Sequence, residues 1–214
     1  MTTTLKIPKE VEIGGLLYTI HYPYEFEDGP ESNKVDGLQT WPDCTVCIKK
    51  QHNNQRLVEI LIHELFHAID YVYTDYVLSD NEPLHDRFSS ALYYVFSHNK
   101  IITNSKIPKY VDILGYKYNI SDKVCFEDCV KIYASCSNRS KQFIMLAKSA
   151  FDVDISLVNR KIELINSILK MIQQILQVSE EERRIMCVHS LSQGIYQVFR
   201  NANIEELAWE SRRS

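Results

Sequence analysis

One internal echo limits what this chain can fold into. "IPKEVEIGGLLYTI" at 7–20 returns, a hundred residues on, as "IPKYVDILGYKYNI" at 107–120. Ile7, Pro8, Lys9, Val11, Ile13, Gly15, Tyr18 and Ile20 each meet an identical residue, and Glu12 meets Asp112. "FED" at 26–28 meets "FED" at 126–128. With a small length change, "FSSALYYVF" at 88–96 matches "LSQGIYQVF" at 191–199, and "QRLVEILIHELFHAI" at 55–69 aligns with "NRKIELINSILKMIQ" at 159–173. A period this long, present only twice, points to a duplicated unit and not to a solenoid, which stacks several short repeats. The sequence therefore predicts two tandem units, 1–100 and 101–214.

Both units read alike. Alternating segments around a glycine, "VEIGGLLYTI" and "VDILGYKYNI", predict hairpins. Further strands are expected at "GLQT" with "TVCIKK", and at "KIYASC" with "QFIMLA". A long helix then begins near Gln55 or Val158. In the first unit its apolar positions Leu57, Leu61, Leu65, Ala68 and Val72 recur every three to four residues, as a core-facing stripe does. A polar turn leads to a closing helix carrying Leu84, Phe88, Leu92, Val95 and Phe96. The expected class is α+β, each unit a small sheet followed by two helices. The charged tail from Asn203 reads as a short exposed helix.

The chemistry is concentrated in "LVEILIHELFHAID" at 57–70, which holds His63, Glu64 and His67 in H-E-x-x-H spacing. Histidines four apart share one helix face, so two imidazoles can grip one zinc ion. Glu64 then sits beside the metal without binding it, placed to take a proton from a water that the metal polarises. The competing reading is a solvated helix edge. Against it stand Ile60, Leu61, Ile62, Leu65, Phe66, Ala68 and Ile69, which bury the segment and make partnerless polar groups costly.

Catalytic zinc usually takes three protein ligands. Asp70, Glu82, His85 and Asp86 are the candidates for the third. Asp70, three residues past His67, suits holding an imidazole N–H. Pro83 fits the first turn of the closing helix and places Glu82 at its start. Helix phase leaves both Glu82 and His85 pointing at the first helix. In the second unit His63, Glu64 and His67 align with Ser167, Ile168 and Met171, and Glu82 aligns with Ile185. That copy is expected to lack the metal site and to serve packing or the gripping of a protein partner.

From "IPK-V-I-G--Y-I" through "HELFHAID" to "SALYYVFSHN", roughly Ile7 to Asn99, the chain resembles the small H-E-x-x-H proteins of phages and prophages. These are similar to the minimal zinc-peptidase fold of the ImmA/IrrE-like and SprT-like groups. The resemblance implies a zinc metallopeptidase acting on a peptide or protein, with His63, His67 and Glu82 on the metal and Glu64 as general base. It also implies a place in the cytoplasm of a bacterium or phage-infected host. The chain departs from the family pattern in having His85 at an aliphatic position. The alternative reading is a non-catalytic binding module on the same scaffold.

Other features exclude more than they assign. A net charge of -4 and pI near 6.0 lack the basic excess of a nucleic-acid surface. No apolar run approaches the roughly 20 residues of a membrane span. Six cysteines are sparse for a disulfide scaffold at this length, which fits a reduced compartment. Cys44 and Cys47 form C-x-x-C without a second close pair, and read as small strand hydrophobes. Among Tyr71, Tyr73, Tyr76, Tyr93 and Tyr94, half-buried packing is the plain reading and donation to an oxyanion the sharper one.

Overall fold

The computed structural model describes residues 5–26, 35–51, 53–76, 78, 80–125, 134–136, 143–150 and 153–214. The "FED" echo beyond Phe26, His52 and Cys129 lie outside them. The first sheet comprises β1 (Glu10–Ile13), β2 (Leu16–Tyr24), β3 (Gly37–Thr40) and β4 (Thr45–Lys49), in spatial order β1-β2-β4-β3. Strands β1 and β2 form the hairpin that the glycine pair suggested, with Gly14 and Gly15 at positive φ. A parallel β2–β4 pair follows, and β3 closes the edge antiparallel to β4.

Two helices come next. Helix α1 (Asn54–Thr74) is capped by the Asn53 side chain, which accepts from the N–H groups of Gln55 and Arg56 at 2.8 and 3.3 Å. It ends where Asp75 turns left-handed, at φ 61°. Helix α2 (Glu82–His98) is capped by Asn81, with Pro83 in the first turn where its missing N–H costs nothing.

In the second half, β5 (Tyr110–Ile113), β6 (Tyr116–Cys125), β7 (Ala134–Cys136) and β8 (Phe143–Ala150) take the order β5-β6-β8-β7, with β9 (Val153–Asp154) added on β8. Their pairing repeats the first sheet's antiparallel, parallel, antiparallel sequence. Four helices follow in place of two: α3 (Leu157–Ile175), the short α4 (Glu180–Ile185), α5 (Val188–Asn201) and α6 (Ile204–Ser211). Ser179 and Glu182 close α4's N-terminus with a capping box. The architecture is α+β, with two small sheets and six helices among the described residues. No helix among them is long and apolar enough to cross a membrane.

Helices α5 and α6 cross onto the first half. Gly194 of α5 meets α1 so closely that an added Cβ would lie 2.7 Å from Ile69 Cγ2 and from the Tyr73 ring. Helix α6 packs on both α1 and α2. This corrects the expectation of an exposed tail helix: Ile204, Glu205, Leu207, Ala208 and Ser211 are buried. The reason lies in Glu205. Its carboxylate is fully buried and accepts from the main-chain N–H groups of Ile101, Ile102 and Thr103 at 2.6–3.0 Å. Lys161 of α3 donates to the carbonyls of Ile102 and Asn104 on the same segment. A carboxylate that looks solvated in the sequence is thus satisfied by main-chain amides of the connection between the halves.

Removing one member of such a buried set strands the others. Glu205→Ala is expected to destabilise the fold by about 3–5 kcal/mol, measured by urea unfolding of the full chain. A loss below about 1 kcal/mol, the scale of a surface ion pair, would show that the segment 101–104 does not depend on this carboxylate.

Candidate metal centre

The apolar stripe of α1 fixes where its polar residues fall. Leu57, Leu61, Leu65 and Ala68 enter the core, and His63, Glu64 and His67 then turn toward α2 and β3. The imidazole Nε2 atoms of His63 and His67 converge to 3.1 Å. From the first position of α2, the Glu82 carboxylate reaches His63 Nε2 at 3.3 Å and His67 Nε2 at 3.4 Å. A tetrahedron with metal bonds of about 2.0–2.1 Å has edges of about 3.3 Å. These three groups therefore stand at spacings compatible with three corners of a tetrahedral metal site.

His85, one turn along α2, joins them: His63, His67, Glu82 and His85 each offer a donor atom, all within 4.8 Å of one another. Its ring lies flat on His67, with centroids 3.5 Å apart and 6° between planes, and edge-on to His63 at 4.8 Å. His85 is fully buried, its ring nitrogens meet no side-chain hydrogen-bond partner, and the Phe66 main chain is near enough to favour its protonated form. Orphaned buried nitrogens and converged imidazoles are what a donor set for a cation looks like. The cluster can hold a metal ion.

The flanking carboxylates separate into distinct roles. Asp86 Oδ1 is 3.2 Å from His63 Nδ1, and Ser89 Oγ is 3.1 Å from the same atom. A proton on Nδ1 donated to this pair leaves the Nε2 lone pair free for a metal. Asp70 was the residue expected to hold an imidazole. Its carboxylate takes the N–H of Leu78 at 2.9 Å and the hydroxyl of Thr74, tying down the turn after α1. Asp86 was missed in that role because helix phase alone shows a direction and not a partner.

Glu64 is buried, with 5% of its surface exposed, beneath the edge strand. Gly37 of β3 is the reason that strand fits: any side chain there would run into the Glu64 carboxylate and Ile60. Burial, then the nearby Glu82, raises the Glu64 pKa to about 8, and Asp86 adds to the rise while a main-chain hydrogen bond from Gln39 opposes it. Burial and the neighbouring His63 lower His67 to about 4. Burial, with His67 and His63, also pushes His85 far down.

The cleft beside the cluster holds about 290 Å³ and is lined by Gly37, Glu59, His63, Glu64, Glu82 and Asp86 among others. The tyrosines divide. Tyr73, Tyr93 and Tyr94 direct their hydroxyls to Gln197, Ser211 and Asp112 of the second half. Tyr71, one turn beyond His67, lies tilted against Trp41 with ring centroids 3.6 Å apart and meets Tyr76 edge-on. Cys47 is buried in β4 and Cys44 precedes it at φ 48°; both are free thiols.

At the equivalent place in the second half, Ser167, Ile168 and Met171 are buried, and the Ser167 hydroxyl bonds back to the Glu163 carbonyl. No second group of metal donors occurs among the described residues. Comparison with protein-family models, with curated proteins and with solved structures returns no match.

The proton on Glu64 gives a pH-dependent test. Below about pH 8 the metal-free carboxyl is protonated, and a cation beside it favours the ionised form. Zinc binding at pH 7 is therefore expected to release about one proton from this group, and affinity should rise with pH until about 8 and then flatten. Calorimetry in buffers of differing ionisation enthalpy measures the release. Glu64→Gln should lower it by about one proton; an unchanged value would place the proton elsewhere.

Proposed function

We propose that this protein is a zinc-dependent hydrolase, most simply a metallopeptidase, acting on a peptide or protein. The observation that carries the reading is the triangle of His63 Nε2, His67 Nε2 and the Glu82 carboxylate, with sides of 3.1–3.4 Å and Glu64 buried alongside. His63, His67 and Glu82 would hold the zinc. The ion supplies a Lewis acid that polarises a peptide carbonyl and acidifies a water. Glu64 takes the proton from the attacking water on a carboxylate oxygen and hands it to the departing amide nitrogen. Burial raises its proton affinity and a neighbouring cation lowers it, and the two together favour transfer near neutral pH. Asp86 and Ser89 keep the His63 ring turned and its Nδ1 protonated. The resemblance to the phage and prophage H-E-x-x-H proteins supports the same reading and carries with it the proposal of a bacterial or phage-infected cytoplasm as its setting.

We read the chain further as a tandem duplication whose second copy has lost the metal. The shared strand order, the sequence echo and the apolar residues at Ile168 and Met171 support this. They also favour a second function, that of a binding module gripping a protein partner through residues 101–214, since that scaffold is kept without a metal centre. Chelation separates the two: a hydrolase loses turnover and regains it on adding zinc, whereas a binding module keeps its partner.

The deciding experiment is Glu64→Gln on the zinc-loaded full chain. Turnover of a peptide library should fall by about 10²–10⁴-fold, the usual size of a general-base contribution, with zinc still bound one per chain. Turnover within about threefold of wild type would remove Glu64 from the role.

A further inference from the structure

Glu82 and His85 are one turn apart on α2 and face the same pair of histidines on α1. Their environments are opposite. The Glu82 side chain is 56% exposed and lines the cleft, whereas His85 is fully buried and does not. With only the Phe66 main chain to meet it, a buried imidazole keeps at least one nitrogen unsatisfied, which is costly unless something pairs with it. The other donors of the cluster, His63 and His67, which it touches on edge and face, are placed to share such a partner.

We propose that His85 is a fourth protein ligand, so that the metal rests in a closed set of three imidazoles and one carboxylate, and that Glu82 is the ligand that yields when the site opens. The inference rests on the cluster being a metal centre and holds whether or not the centre is hydrolytic. Structural zinc sites are closed by four protein groups and catalytic ones keep a position free. A set of four with one exposed member is therefore latent: it binds tightly, then admits water or a substrate carbonyl when that member leaves. The lone pairs of two parallel rings 3.5 Å apart cannot meet on one ion about 2 Å from each. Ligation therefore turns the His85 ring about its Cβ–Cγ bond, out of the stack. Three imidazoles remain on the ion after Glu82 departs, which keeps the metal in place.

The test loads the purified full chain with cobalt(II) and counts imidazole ligands by X-ray absorption. Three imidazoles are expected in the wild type and two in His85→Leu. Glu82→Gln should keep one cobalt per chain, with affinity reduced less than about tenfold, while His85→Leu loses more than about tenfold. Two imidazoles in the wild type would overturn the proposal, as would loss of cobalt from Glu82→Gln with retention by His85→Leu. The wild-type count depends on no variant folding. A chain that takes up no cobalt overturns the metal reading itself. Three imidazoles with no hydrolysis under any condition uphold the closed set and remove only the hydrolase.

Discussion

Helix α1 is hemmed in on almost every side, and the rest of the molecule is arranged around that fact. Strands β3 and β4 pack on it from the sheet, α2 lies alongside, and α5 and α6 cover it from the second half. A helix in such a place has little use for polar residues, because each one buried without a partner is a penalty. Yet His63, Glu64 and His67 occupy its middle turns. The surroundings answer each of them: Asp86 and Ser89 for His63, the Gln39 main chain for Glu64, and the convergence of imidazoles and Glu82 for the remainder.

The second half contributes to this centre without touching it. Gly194 lets α5 approach α1 at Ile69 and Tyr73, two residues and six residues beyond His67. Ser211 and Gln197 take up the half-buried hydroxyls of Tyr93 and Tyr73. Asn81, which caps α2 next to Glu82, donates to Glu182 of α4. The first turn of α2, from which Glu82 reaches the histidines, is therefore fastened from both halves. Where the second half's own long helix could carry donors, it carries Ile168 and Met171, and these pack into its core.

Periodicity made much of this readable in advance. The strands at 37–40 and 45–49 and the starts of both long helices fall where alternation and the three-to-four-residue stripe put them, because side-chain burial follows local geometry. The nearness of Glu82 and His85 to the motif follows from Pro83 fixing the start of α2. What stayed hidden depends on partners distant in sequence. Nothing local distinguishes a parallel β2–β4 pair from a simple meander. Glu205 sits among Glu206, Glu210, Arg212 and Arg213 and looks solvated, yet its partners are backbone amides a hundred residues earlier. Asp70 is readable as a neighbour of the motif, but its bonds to Leu78 and Thr74, and the contact of Asp86 with His63, depend on how the loop and α2 return to α1.

The grip of α6 on residues 101–103 bears on the order in which the molecule is made. A ribosome delivers α1 and α2 long before α6, so the helices that carry the histidines emerge with their rear surface bare and the joint behind them unfastened. Domains generally fold as units during synthesis, first half first. Here the earlier half can complete its packing only once the later helices have been made and cover it.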